Sequence, residues 1–311
     1  MGWRGKRIGL ALGGGGARGI AHIGILKVLE KEEIPIDLVV GTSIGALVGG
    51  AYASGISPAN LEKKIDEYLS SPEFHSSAIK AVEAMYATEE AGLVQKIQSF
   101  FKNRFYVLQA AMRPGFLSSE DFQGIIDYFI PDIQIETTQL PFRAVATDLV
   151  SGELITISSG PLRQAVMASC AVPGAIAPLK EGEMVLSDGG IICLVPVSVA
   201  RKEGADIVIG VAVDRDPCSE EEFRTAREVY MRACDIMANR LQDYELVDAD
   251  VVISPEVGDL HWSEFSQARN LIEEGERAVK GHLDDIRNAI PGIKKWFTLP
   301  QILKSSRKNG P

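Results

Sequence analysis

The chain is poor in the residues that build metal centres and disulfide frameworks. Its four cysteines, at positions 170, 193, 218 and 234, form no C-x-x-C pair. Its four histidines, at 22, 75, 261 and 282, are scattered, with no H-E-x-x-H among them. Such spacing predicts no metal and leaves the cysteines as reduced thiols of a cytoplasmic protein. Positive charge is also short: 32 Lys and Arg against 42 Asp and Glu give a net charge of −10. Nucleic acid is therefore not expected as a partner, because phosphate binding is driven by Lys and Arg. A local basic patch could still meet a membrane surface, so peripheral membrane contact stays open. The N-terminal MGWRGKRIGLALGGGG has too short an apolar run for a signal peptide. Ile34 to Ile56 carries one charge and is long enough to span a bilayer, but it holds five glycines and Pro35. It divides into IDLVV and IGALVGGAYA, which read as a strand and a helix buried in an α/β core.

What remains is ample apolar material. The 311 residues are 46% hydrophobic and 24% charged, enough for a full core in one large domain or two modest ones. Strand-like runs alternate with helical ones. Arg7–Leu12 reads as a strand, followed by glycines and an amphipathic helix over about Ala17 to Lys31. Ile36–Val40 is a second strand, again followed by a glycine turn and a helix. Strand, glycine turn, helix, repeated, predicts a βαβ unit with a parallel sheet. Residues 57–130 read as mostly helical, and Phe142–Leu149 with Glu153–Ile157 as a hairpin. Met184–Leu186 and Asp206–Val213 read as further strands. Beyond Asp214 come charged helical stretches, a short strand at Asp250–Ile253 and a basic tail. We expect residues 1–218 to form one α/β domain and 219–311 a helical extension packed on it, ending in a frayed basic tail.

Three stretches carry candidate chemistry. Gly41-Thr42-Ser43-Ile44-Gly45 fits G-x-S-x-G on a strand-to-helix turn. There the glycines permit a strained elbow that exposes the serine hydroxyl at a helix N-terminus. The plainer alternative is that Ser43 is a helix N-cap, which leaves the two glycines unexplained. Gly13 to Gly19, GGGGARG, occupies the other turn. Gly14, Gly16 and Gly19 match a dinucleotide-binding pattern, but the acid expected at the end of the second strand is missing. The alternative is an oxyanion hole of consecutive glycine amides with Arg18 nearby. A serine nucleophile needs a base. Asp188, in Ser187-Asp188-Gly189-Gly190 at a strand end, is one candidate; His261 or His282 would complete the triad order Ser, acid, His. His22, on the first helix, reads as packing.

In order and spacing, GGGARG at 14–19, GTSIG at 41–45 and DGG at 188–190 resemble the three blocks of the patatin-like phospholipases. The chain is most similar to the short bacterial members and to the catalytic domain of neuropathy target esterase. The likeness runs over roughly residues 7–215. It implies a three-layer α/β/α patatin-like fold with a mainly parallel central sheet and a helical C-terminal portion. It also implies a Ser–Asp dyad: Ser43 as nucleophile, Asp188 as its base, and Gly41 and Gly45 shaping the elbow. The amides of Gly14, Gly15 and Gly16 would form the oxyanion hole, with Arg18 supporting that loop. The implied activity is hydrolysis of acyl esters, often of phospholipids or lysophospholipids, through an acyl-serine, with no cofactor or metal. Lipid or a small acyl ester is the expected substrate. The pattern departs in one place: Ile191-Ile192-Cys193-Leu194 stands where many similar proteins carry an Asn before the Pro-Val pair. The likeness places Ser169 and the Pro173-Gly174 turn at the site wall, shaping the pocket without a chemical role. Residues 96–113, with Phe100, Phe101, Phe105 and Tyr106 among Lys96, Lys102 and Arg104, read either as a lid or as a helix packed on the sheet. Two functions stay in view: a serine acyl hydrolase, and a non-enzymatic regulatory or protein-binding scaffold keeping the fold.

Overall fold

Strand β1 (Ile8–Leu12) shows how the sequence sets the layers. Ile8, Leu10 and Leu12 turn to one side of the sheet and Ala11 to the other, and both sides are buried. A strand covered on both faces has no polar alternation to show, which is why IGLAL reads as an unbroken apolar run. The computed structural model describes residues 5–77, 80, 115–117, 119–213, 223, 225–258, 260 and 264–290. Residues 96–113, read either as a lid or as a helix packed on the sheet, lie outside them.

Parallel to β1 run β2 (Leu38–Thr42), β9 (Ile207–Val211) and, beyond β9, β10 (Val251–Ile253). On the other side of β2 lies β4 (Phe142–Asp148), also parallel. The sheet then turns antiparallel: β5 (Leu154–Ile157) and β8 (Met184–Asp188) pair with β4, and β7 (Leu179–Glu181) pairs with β8. A separate two-stranded sheet joins β3 (Gly115–Leu117) to β6 (Gly174–Ile176). The sequence reading contains β4, β5 and β8 but neither β3, β6 nor β7. Runs of three residues are too short for a period of two to register.

One face of the sheet is covered by α1 (Ala21–Lys31), α2 (Ile44–Ala53) and α3 (Pro58–Leu69). The short α4 (Pro72–Ser76) packs on α3 through the Phe74 and Tyr68 rings, and α5 (Ser119–Phe129) and α6 (Leu162–Ser169) extend this face. The opposite face carries α7 (Val197–Lys202), with α8 (Ala226–Leu246) reaching it through Leu246. The last helix, α9 (Ala268–Ala289), lies along α1 on the first face. Gly24 and Gly275 let the two backbones touch: a Cβ on Gly275 would strike the Ala21 carbonyl, and one on Gly24 would come within 2.9 Å of the Glu276 nitrogen. Lys27 adds ion pairs to Glu62 at 2.8 Å and Glu276 at 2.7 Å.

The first helix differs from its sequence expectation. Gly16–Ile20 forms a 3-10 turn and the α-helix proper begins at Ala21. Gly15 and Gly16 take φ values of 151° and 58°, so the chain enters the helix from backbone angles that side-chain-bearing residues avoid.

The register around β4 decides where the chemistry sits. Thr42 of β2 lies opposite Val145, and Asp188 of β8 lies opposite Ala146, the next residue. The other edge over this stretch belongs to β5, which pairs with residues 144–147 of β4. Hence β2 and β8 share one edge of β4 and meet end to end, their C-termini facing. Ser43 and Asp188 are the residues at that junction.

Candidate active site

Ser43 directly follows β2 with φ 55° and ψ −126°, a conformation a serine adopts only when its surroundings force it. Such strain costs on the order of 1–3 kcal/mol. The flanking glycines make the turn feasible. A Cβ on Gly41 would lie 2.5 Å from the Ala46 nitrogen, and one on Gly45 would run into the Leu12 carbonyl. Ser43 occupies the N-cap position of α2, yet its side chain makes no capping hydrogen bond. The N-cap reading of this serine is therefore set aside: its hydroxyl is left for another purpose.

That hydroxyl faces Asp188. The carboxylate Oδ1 accepts the Gly190 amide at 2.7 Å, while Oδ2 is buried with no hydrogen bond. Burial raises the Asp188 carboxyl to about 6, an effect only partly offset by the Ser43 hydroxyl and the Gly190 amide, both of which favour the anion. The pair is thus close enough for the hydroxyl to stabilise the charge, without a closed hydrogen bond at Oδ2. The described histidines are engaged elsewhere. His22 bonds the Gly13 carbonyl, His282 bonds Ala278 on its own helix, and His75 packs edge-on against Phe74. His261 lies outside the described residues.

The glycine loop reaches the same point from β1. A Cβ on Gly14 would come within 3.3 Å of the Ser43 Cβ. One member of the expected oxyanion hole is corrected here. The Gly14 amide donates to the Leu194 carbonyl at 2.9 Å, so it is spent on holding the loop. Gly15 and Gly16 remain: they are half-buried and open the 3-10 turn, where the first amides have no partner within the helix. Arg18 is buried, and its Nε donates to the Leu260 carbonyl at 2.8 Å, tying the loop to the C-terminal part of the chain.

The segment that departs from the usual pattern does its work through the backbone. The Thr42 hydroxyl donates to the Cys193 carbonyl at 3.0 Å, and Leu194 receives the Gly14 amide. Neither bond depends on the side chain at 193 or 194, which is how a Cys-Leu pair serves here. The Leu194 side chain fills the space over Gly14 and Gly190: its Cδ1 would lie 2.9 Å and 3.0 Å from a Cβ at those positions.

Ser169 was legible in the sequence only as a wall residue. In the fold its Oγ accepts the Ser43 backbone N–H at 2.9 Å and donates to the Val145 carbonyl at 2.6 Å. It braces the strained elbow from behind. A lone serine at the end of a helix gives no sequence signal for this, because the partner is brought in by tertiary packing. Cys170, also buried, has its thiol pushed up by burial and by the Asp188 charge, so it stays protonated. Among the described residues, no group of His, Cys, Asp and Glu is placed to hold a metal ion. Nor is any described helix long and apolar enough to cross a membrane.

Strand–glycine–serine elbow, glycine loop and aspartate loop converge in the order expected from the sequence, and the family model for patatin-like phospholipase matches residues 10–201. The chain belongs to the patatin-like phospholipase family. An uncharacterized NTE family protein of Mycobacterium tuberculosis is 33% identical over 208 residues, which cover 67% of this chain and 49% of that protein. Patatin-like phospholipase domain-containing protein 6 of Homo sapiens is 34% identical over 212 residues, covering 67% of this chain and 13% of that protein. The chain thus spans half or less of the curated relatives it matches. Among solved structures, VipD from Legionella pneumophila aligns over 92% of this chain and 67% of its own, at 12% identity and a TM-score of 0.45. The ExoU–SpcU complex of Pseudomonas aeruginosa aligns over 91% of this chain and 52% of its own, at 16% identity and a TM-score of 0.44. The family supplies the fold expected from the sequence, a mainly parallel sheet between helical layers.

Proposed function

We propose that this member of the patatin-like phospholipase family is a serine acyl hydrolase that cleaves lipid acyl esters through an acyl-serine at Ser43. The observation that carries the reading is the junction of β2 and β8: a strained serine with an uncapped hydroxyl beside a buried carboxylate oxygen that lacks a partner. A carboxylate at this position has little else to bond.

In the reaction, Asp188 takes the proton of Ser43 as Oγ attacks the ester carbonyl. The carbonyl oxygen gains negative charge, which the amides of Gly15 and Gly16 and the positive end of α2 stabilise. The carbon–oxygen bond to the alcohol then breaks, and that alcohol leaves with the proton from Asp188. Water attacks the acyl-serine, gives a proton to Asp188, and the proton returns to Ser43 as the fatty acid departs. Burial of Asp188 raises its basicity toward neutral pH, where a general base is most effective. Arg18 braces the loop from the side. The exposed Ile191 and Val172, with the half-buried Leu194, offer an apolar rim suited to an acyl chain. Lipid is the substrate class this favours, met at a membrane surface or in micelles.

The test is labelling by a fluorophosphonate probe beside hydrolysis of p-nitrophenyl butyrate and of lysophosphatidylcholine. Wild type should label at Ser43 and turn over, while Ser43→Ala and Asp188→Asn should lose turnover. A folded wild type that neither labels nor turns over in the presence of detergent or vesicles overturns the reading and leaves the scaffold function.

A further inference from the structure

The mechanism above leaves one buried titratable group unused. His22 sits in the first turn of α1 with no exposed surface, and its Nε2 lies 2.8 Å from the Gly13 carbonyl. A carbonyl only accepts, so Nε2 carries the proton and Nδ1 holds a lone pair. That Nδ1 is buried without a hydrogen bond. Leaving a polar nitrogen unsatisfied in a core costs about 1–3 kcal/mol, and Leu or Met would fill a packing role without it. The imidazole must therefore supply something that an apolar side chain does not.

What it supplies is a hold on one peptide plane. The Gly13–Gly14 peptide has two polar ends. The carbonyl end is bonded to His22, and the amide end donates to the Leu194 carbonyl at 2.9 Å. Because a peptide is planar, fixing both ends fixes its rotation. The need for this is local. Residues 13–16 are all glycine, so no side chain resists a flip of the plane. Gly14 lies against Ser43, and the amides of Gly15 and Gly16 follow directly.

We propose that His22 is a positioning residue for acyl transfer: by donating Nε2–H to the Gly13 carbonyl, it locks the Gly13–Gly14 peptide and so aims the Gly15 and Gly16 amides at the oxygen of an ester bound at Ser43. The proposal rests on the acyl-hydrolase reading and deepens it. Burial pushes the imidazole down to about 4, which keeps it neutral, and the tautomer constant, over the range in which Asp188 ionises.

The experiment compares wild type with His22→Met, which removes the donor, and His22→Gln, whose amide nitrogen can reach the place of Nε2. Ser43→Ala sets the baseline. Removing or misplacing an oxyanion donor costs about 100-fold or more in kcat; loosening the loop that carries the donors should cost His22→Met roughly 10- to 100-fold. KM should stay within about threefold, because the amides act on the transition state more than on the bound ester. His22→Gln should recover most of the rate. Hydrogen exchange over residues 13–19 should quicken in His22→Met and return toward wild type in His22→Gln. A Met variant with wild-type kcat overturns the proposal. So does a Gln variant that falls as far as Met in both rate and melting temperature, since that marks a packing role. If wild type shows no Ser43-dependent turnover, the acyl-hydrolase reading fails. Exchange then decides whether the clamp exists, and unchanged protection in His22→Met overturns it.

Discussion

Ser43 gives its backbone N–H to the Oγ of Ser169, 2.9 Å away, while the same hydroxyl donates to the Val145 carbonyl at 2.6 Å. One small side chain thus ties the strained elbow to the middle of β4. Removing it leaves a buried amide and a buried carbonyl without partners, at about 1–3 kcal/mol for each group. Ser169→Ala should lower stability by roughly 2–4 kcal/mol and slow acylation of Ser43 about tenfold, with labelling still complete at long times. Melting temperature and the rate of fluorophosphonate labelling measure the two effects. Labelling at the wild-type rate would show that the elbow keeps its geometry unaided.

The acid–base pair predicts two pH dependences with opposite signs. Asp188 must be ionised to act as a base, so kcat/KM should rise with pH through about 6. Its folded pKa lies above the unfolded value of 3.8, so its contribution to stability is fully present below 3.8 and is lost as pH rises through 6. Asp188→Asn should therefore abolish turnover yet raise stability at pH 8 by up to about 3 kcal/mol, with little gain at pH 4. His22 behaves oppositely. Its folded pKa of about 4 lies below the unfolded 6.5, so its contribution is present above 6.5 and is lost as pH falls through 4. Denaturant titrations of wild type, Asp188→Asn and His22→Met at pH 4, 6 and 8 check both signs. An Asp188→Asn variant less stable than wild type at pH 8 would contradict the burial argument.

The contact between α1 and α9 tolerates no side chain at its crossing. A Cβ on Gly275 would overlap the Ala21 carbonyl and sit 3.2 Å from the Ile25 nitrogen. Gly275→Val should force the helices apart and cost about 1–3 kcal/mol, seen as a fall in melting temperature of several degrees. Gly281→Ala, on the same helix with nothing within 4 Å of its Cβ, is the control and should match or slightly exceed wild type. Equal melting temperatures for wild type and Gly275→Val would show that α9 does not rest on α1 as described.

The thiols differ in reach. Cys170 and Cys193 are buried and their pKa values are pushed up by burial, whereas Cys234 on α8 is half-buried. Iodoacetamide on the native protein should modify Cys234 well ahead of Cys170 and Cys193, and ester turnover should survive. Peptide mapping after partial alkylation gives the order. Early modification of Cys170 together with loss of activity would place a reactive thiol at the site.

The sequence by itself determined the layers and the three chemical blocks. Buried strands and helices of an α/β core are apolar nearly throughout, so β1, β2 and β9 stand out as runs, and the glycine turns after β1 and β2 announce themselves because no other residue fits there. The hairpin of β4 and β5 was legible from two strand-like runs and the Gly152 turn between them. What the tertiary structure alone decided is who touches whom. That β2 and β8 meet on one edge of β4, setting Asp188 beside Ser43, is a matter of register between segments far apart in the chain. The same holds for the spending of the Gly14 amide on Leu194, the bracing of Ser43 by Ser169 and the hold of His22 on Gly13. Each is a hydrogen bond whose partner is chosen by packing. Composition and periodicity report which side a residue faces; they carry no record of the neighbour it finds there.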